Sequence, residues 1–261
     1  MISVLEKEIT FRYLKTRKKD GFLNVISIFS FIGISLGVAV LIIVMSVMNG
    51  FRTELVNKIV GFNAHVSIQP YSTPIDNDQV KNRVLESLAK DLIFSNSGEG
   101  VLFNKDNTKG LVLRGYSIDD FIKLNVVKND QFEGDPKKLI ENGISIGKDL
   151  AIDYNLKLGD QILIMSPSGI QTIIGNIPKQ EPFIITSFFD SGLSDFDKNV
   201  AFLNIESLES LFDLDKNMRN LEIYLKNPIN IDTIKSQLEN IFTEQFIYTW
   251  ADMNSSLFSA L

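Results

Sequence analysis

The chain has 261 residues, 44% of them apolar and 22% charged, with a net charge of −6. That balance supports an ordinary packed core and argues against the basic surface that nucleic-acid binding needs. It has no cysteine and one histidine, His65, which excludes disulfides and thiol catalysis and leaves little room for zinc sites or Ser-His chemistry.

Residues 2–18 have Ile2, Leu5, Ile9 and Tyr13 at spacings of three and four with charges between them, which predicts an amphipathic helix lying along a membrane face. Residues 1–20 hold six basic groups against three acidic ones, leaving 20 basic and 29 acidic groups for the rest of the chain. From Gly21 to Phe51 there is no charge, and Val25 to Met48 is almost wholly apolar. A helix needs about 20 such residues to cross a bilayer. The run is longer than the apolar part of a signal peptide, and no small-residue cleavage site follows it. The cluster Lys15, Arg17, Lys18 and Lys19 precedes the span, so the N-terminus is expected in the cytoplasm and everything after Asn49 outside. Within the span, Gly33 and Gly37 are four apart, the spacing that lets a second helix pack closely. Val40 to Met48 is rich in Val, Ile and Met, suited to lipid or to a lipid-like substrate.

Beyond the span the period changes repeatedly. Residues 52–61 extend the helix, and 64–70 alternate as a strand. Residues 78–92 are read as one helix with Val80, Val84, Leu85 and Leu88 on its apolar face. Strands are predicted at 100–104 and 110–116, and a short helix at 117–124. Strand, turn and helix follow over 142–156, with strong strands at 159–167 and 181–189. A strand at 199–205, a helix at 205–212, a strand at 220–226 and a helix at 231–242 complete the series. The fold class is therefore α+β: one N-terminal transmembrane helix, then a mixed α/β domain of two lobes.

Chemical motifs are sparse. Gly143 to Asp149 has three residues between its glycines and Asp after Lys148, so it fails as a phosphate loop. Asp190, Asp195 and Asp197 cluster without the spacing of a calcium loop. No catalytic group, metal site or cofactor is indicated. The most unusual stretch is 166–183, between two strong strands, with Pro167, Pro178 and Pro182 and the apolar residues Ile173, Ile174 and Ile177. It reads either as a loose excursion or as a protruding hairpin with a proline-fixed tip that grips a partner protein.

Residues 12–22 and 27–55 closely resemble the start of the lipoprotein-releasing permeases of the LolC/LolE type. So do 143–169 and 175–205, and 248–261 resembles the approach to that family's second transmembrane helix. The most specific parts are MSVMNGF at the end of the span and NIPKQ in the unusual stretch. The resemblance implies an inner-membrane ABC transporter of the MacB-like, mechanotransmission kind, in which ATP is hydrolysed on a separate cytoplasmic ATPase subunit. Two permease subunits, this chain with a paralogue or with itself, would extract a lipoprotein substrate and pass it to a LolA-like periplasmic chaperone. Carried over, the chaperone-binding hook is Ile177, Pro178, Lys179 and Gln180. Val44, Val47 and Met48 would contact lipoprotein lipid, and Gly33 and Gly37 would pack helices.

The expected division is a cytoplasmic amphipathic segment at 1–20, the transmembrane helix at 21–50, a periplasmic MacB-like domain at 51–250 with its hook at 166–183, and the approach to a further helix at 251–261. The family has three further transmembrane helices after the periplasmic domain, and this sequence stops at Leu261 before any of them. A shortened piece or a partial reading frame is expected, unable to transport alone. The alternatives are a MacB-like permease serving efflux or signalling, and a membrane-tethered periplasmic binding module.

Overall fold

A computed structural model describes residues 4–14, 21–104, 107–128, 130–140, 142–172, 175–228 and 231–255. The chain forms two compact units, Met1–Leu55 and Val56–Leu261.

The first unit holds helix α1 (Val4–Leu14) and most of helix α2 (Gly21–Phe62). In α1, Val4, Leu5 and Ile9 are exposed. Ile2 and the basic residues 15–19 lie outside the described residues. Helix α2 is long and apolar enough to cross a membrane. Its residues from Val25 to Phe51 are exposed on every side, the pattern of a helix whose solvent is lipid rather than water. It continues unbroken past Met48, as the polar residues 52–61 predicted.

The second unit follows the predicted alternation with several changes. Strand β1 (Val66–Pro70) leads into helices α3 (Asn77–Val80) and α4 (Arg83–Leu88), then strands β2 (Ala89–Asn104) and β3 (Asn107–Tyr116). The single helix expected over 78–92 is thus two short ones, and its last turn is already strand. Asn82 is the reason for the break: its side chain accepts the Val84 N–H at 2.9 Å and starts a new helix. Helices α5 (Ile118–Phe121) and α6 (Asn125–Lys128) precede strands β4 (Glu133–Gly134) and β5 (Gly143–Gly147) and helix α7 (Lys148–Asp153). Strands β6 (Gln161–Thr172) and β7 (Gly175–Phe189) form a hairpin, followed by helix α8 (Ser194–Asn199), strand β8 (Val200–Asn204) and helix α9 (Ile205–Phe212). Strand β9 (Asn220–Leu225), helix α10 (Ile231–Glu239), strand β10 (Gln245–Thr249) and helix α11 (Trp250–Met253) end the series. The sequence reading did not anticipate β10.

The ten strands among the described residues belong to one sheet, in the order β10-β1-β9-β2-β3-β8-β5-β7-β4 with β6 between β2 and β7. The pairing closes on itself through β2, β3, β8, β5, β7 and β6, which makes a six-stranded barrel. Alternate residues point inward. Leu102, Leu113, Ile144, Ile164, Phe183 and Leu203 fill the barrel and are fully buried, and α9 closes it with Leu208, Leu211 and Phe212. Closure demands small residues on β2. A Cβ on Gly98 would lie 2.9 Å from the Phe212 ring, and one on Gly100 would lie 2.9 Å from Leu113.

Strand β2 is long enough to serve both lobes. Its second half pairs with β6 in the barrel, and its first half pairs with β9, which carries β1 and β10 outward as an open sheet. One face of that open sheet is covered by α4 and α10 through Val66, Ile68, Leu221, Ile223, Leu85 and Leu238. A third, aromatic cluster of Phe62, Tyr116, Phe121, Phe189 and Phe202 lies outside the barrel wall. The two lobes expected from sequence are therefore two ends of one sheet.

Candidate functional site

The stretch 166–183 is an ordered antiparallel hairpin. Its register runs from Gln161 opposite Ile184 to Thr172 opposite Gly175, with one irregularity between Ser166 and Gly169. Ile173 and Ile174, between the last pair, lie outside the described residues. Pro178 stands opposite Gly169, at the irregularity. A proline has no N–H for the ladder, so a strand tolerates it at such a break. The stretch is therefore a hairpin rather than a loose excursion, but its tip is not fixed by proline: Pro178 and Pro182 sit in β7, and the residues from Thr172 to Gly175 include none.

The four residues expected to form a hook have different surroundings. Ile177 is 54% exposed, an apolar side chain on a surface where packing does not require one. Pro178 is exposed beside it, and Gln180 is exposed with its amide 3.6 Å from the Met165 sulfur across the hairpin. Lys179 is turned back. Its Nζ donates to the Ser210 carbonyl at 2.6 Å and to Ser210 Oγ at 3.1 Å, and pairs with Glu181 at 3.0 Å. Ser210 belongs to α9, so Lys179 braces the root of the hairpin against the helix that closes the barrel. Ile177 and Pro178 form the outward part.

In the first unit, Val44, Val47 and Met48 are exposed and spaced by three and four, which sets them on one face of α2. Gly33 and Gly37 also lie open, and a Cβ at either would meet nothing within 4 Å.

His65 is buried, and its Nδ1 accepts the Leu225 N–H at 2.8 Å. That bond needs an unprotonated Nδ1, and burial pushes the imidazole pKa down. The histidine ties the start of β1 to β9. Asp190 accepts the Gly192 N–H at 2.9 Å, Asp197 the Ser191 N–H at 2.8 Å, and Asp195 the Asn199 amide at 2.8 Å. Asp190 and Asp197 support the turn into α8, Asp195 bonds within that helix, and burial raises the pKa of Asp197. Among the described residues, no group of three or more His, Asp or Glu side chains is arranged to hold a metal. Gly143 to Gly147 is a buried barrel strand, and Lys148 after it pairs with Glu133 at 3.2 Å.

One polar cluster escaped the sequence reading. The Glu222 carboxylate is buried in β9 and accepts from Ser95 Oγ at 2.7 Å, Arg114 at 3.0 Å, Tyr116 at 3.0 Å and Tyr224 at 3.1 Å. Arg114 also donates to the Asn63 side chain at 3.1 Å, just past the end of α2. Its guanidinium lies 5.8 Å from the centre of the Phe62 ring, and Phe62 stacks on Phe196 at 4.5 Å. Burial opposes the charge on Arg114, but the surrounding phenols and Glu222 outweigh it and push its pKa up. Burial first, and then Glu222, push the Tyr224 phenol well above its ordinary range. Lys58 donates to the Gly192 carbonyl at 3.0 Å, and the Asn125 amide to the Gly61 carbonyl at 3.2 Å. These bonds lie within the second unit, to which the last two turns of α2 belong. A cleft of about 360 Å³ opens over the network, lined by Phe62, Ser67, Gln69, Ser97 and Arg114 among others. The sequence signal was a single acidic residue inside an otherwise apolar strand, Asn220 to Leu225.

A family model described as the MacB-like periplasmic core domain matches residues 27–241. The chain belongs to that family. Within it, the chain is similar to the lipoprotein-releasing system transmembrane protein LolC of Neisseria meningitidis, at 28% identity over 98% of this chain and 63% of that protein. LolC of Xylella fastidiosa is 24% identical over 100% of this chain and 64% of its own length. LolE of Haemophilus influenzae is 29% identical over 69% of this chain and 45% of its own length. This MacB-like chain therefore spans under two thirds of the curated relatives it matches. Among solved structures, the periplasmic region of MacB from Actinobacillus actinomycetemcomitans covers 77% of this chain and 95% of its own, with a TM-score of 0.47 and 11% identity. The extracellular domain of the transporter YknZ covers 68% of this chain and 93% of its own, with a TM-score of 0.40 and 15% identity. The LolC/LolE resemblance drawn from the residues and the relatives found by similarity agree.

Proposed function

We propose that this chain is the N-terminal part of a permease that releases lipoproteins from the inner membrane and hands them to a soluble periplasmic chaperone. The observation that supports this most is similarity to LolC proteins along nearly the whole chain, span and hairpin included. On this reading residues 1–20 are cytoplasmic, 21–50 cross the membrane, 51–250 are periplasmic, and 251–261 lead towards a further helix. The basic residues before α2 hold the N-terminus inside. ATP is hydrolysed by a separate cytoplasmic subunit, so this chain performs no catalysis of its own. A second permease subunit packs alongside, with Gly33 and Gly37 allowing close approach. Val44, Val47 and Met48 offer an apolar face to the acyl chains of the substrate.

The hairpin supplies the chaperone grip. Its proline-restricted strand and Lys179 brace limit the ordering that binding must impose, and Ile177 supplies the apolar contact. The test is capture of the purified lipoprotein chaperone by the membrane-embedded protein. Ile177→Asp is expected to lower capture at least tenfold, whereas Ile152→Asp, at a site 75% exposed on α7, leaves it unchanged. Equal capture by both variants and the parent would refute the hook.

A further inference from the structure

The two ends of the sheet are finished differently. At one end, β4 is two residues long, contains Gly134 at φ +106°, and carries Glu133 paired with Lys148. Short length, a glycine and a charge are the usual devices that keep a sheet edge from pairing with another chain. At the other end, β10 reads Gln245-Phe246-Ile247-Tyr248-Thr249, with no charge, proline or glycine. Among the described residues, no strand pairs with its outer edge.

The geometry of β10 shows what that edge presents. The Trp250 N–H donates to the His65 carbonyl at 3.0 Å, and the register places Tyr248 opposite Ser67 and Phe246 opposite Gln69. Antiparallel alternation then turns the backbone groups of Tyr248 and Phe246 towards β1, and the N–H and carbonyl of Ile247 outward. The face left uncovered by α10 holds Phe246, 49% exposed, and Tyr248, 38% exposed. Tyr71 stands edge-on to Phe246 at 5.2 Å.

The strand is complementary to itself. Laid antiparallel against its own copy about Ile247, it sets Phe246 opposite Tyr248 of the second copy, twice, on the open face. Ile247 meets Ile247, and Gln245 meets Thr249. Cross-strand aromatic pairs are among the favourable ones, and no like charges face each other. The outward Ile247 groups meet their own equivalents, which is the isologous arrangement of a two-fold dimer.

We propose that β10 is a docking edge for a second copy of this chain, joined by antiparallel strand addition centred on Ile247. The proposal deepens the paired-subunit part of the reading above, and its test leaves the hairpin untouched. Failure at β10 and failure of chaperone capture are therefore separate results.

The chain has no cysteine, so single cysteines report directly. Residues facing each other in a hydrogen-bonded antiparallel pair have Cα atoms about 5.5 Å apart, within disulfide reach. Ile247→Cys, expressed in membranes and oxidised, is expected to give a disulfide dimer of twice the chain mass. Phe246→Cys and Tyr248→Cys, expressed singly, should give at least tenfold less. Co-expressed with each other, those two variants should recover the cross-link. Because both positions are exposed, the co-expressed pair carries the test even if Ile247→Cys disturbs packing. Glu133→Cys, at the blunted edge, should stay monomeric. The proposal is overturned if neither Ile247→Cys nor the co-expressed pair cross-links. It is also overturned if every position cross-links equally, or if the only adducts are with a chain of different mass.

Discussion

At one end of the second unit, six strands close on themselves around Leu102, Leu113, Phe183 and Leu203, and no edge is left within that ring. At the other end, three strands run outward from β2, with helices on one face and a buried charge network near the root of the other. The barrel is held by apolar contact, which has no preferred direction. The open end has an apolar face of its own and adds to it directed bonds that meet at Glu222 and reach Asn63. The difference shows how one sheet can combine a closed apolar body with an end held in addition by directed bonds.

The largest expected effect separates these two kinds of cohesion. Glu222→Ala leaves the Arg114 charge buried without its carboxylate and should destabilise the second unit by about 3–5 kcal/mol. Adding Arg114→Met to it should restore much of that loss, because the uncompensated charge goes with it. Denaturant unfolding of the three proteins measures both steps, and a double variant no better than the single would place the effect in packing. In the barrel, Leu113→Ala should cost about 2–5 kcal/mol through the cavity it leaves, and no charge change nearby should recover it.

A smaller effect is tied to pH. The folded pKa of His65 lies below its unfolded value of about 6.5. The unfolded chain then binds more protons as pH falls through that value, so this contribution is present above about 6.5 and is lost on acidification towards the folded pKa. His65→Asn keeps a side-chain acceptor for the Leu225 N–H and should flatten this part of the pH profile. Thermal melts at a series of pH values compare the two, and parallel profiles would exclude the histidine as the cause. The smallest effect is expected at the hairpin root. Lys179→Met removes a partly exposed brace and should lower global stability by no more than about 1 kcal/mol. Amide exchange at Gln180 and Glu181 should nonetheless quicken, and unchanged exchange would mean the brace is idle.

Much of this arrangement was legible in the sequence. The uncharged run after Asp20 could only be a helix if it meets lipid, and the strands rich in Val, Ile and Phe announced themselves. The hairpin was visible through its prolines and its isoleucines. The closure of the barrel was not, because it depends on which strands pair across long separations, and Gly98 and Gly100 look like any turn glycines until Phe212 and Leu113 are beside them. The helix expected over 78–92 failed on one asparagine whose side chain outcompetes the helical backbone. Arg114 and Glu222 are 108 positions apart and meet only through the order β9-β2-β3. Lys179 was expected in the hook, and its bond to Ser210 was not visible in the sequence because the two meet only through the fold.

On the proposed function, the outward part of the hairpin meets a soluble lipoprotein carrier. A photo-reactive amino acid at position 177, in the protein as it stands in the membrane of living cells, tests it most directly. The account predicts an adduct whose partner is a periplasmic lipoprotein chaperone, lost when the probe is moved to position 152. An adduct with a different periplasmic protein, or equal labelling from both positions, would contradict it.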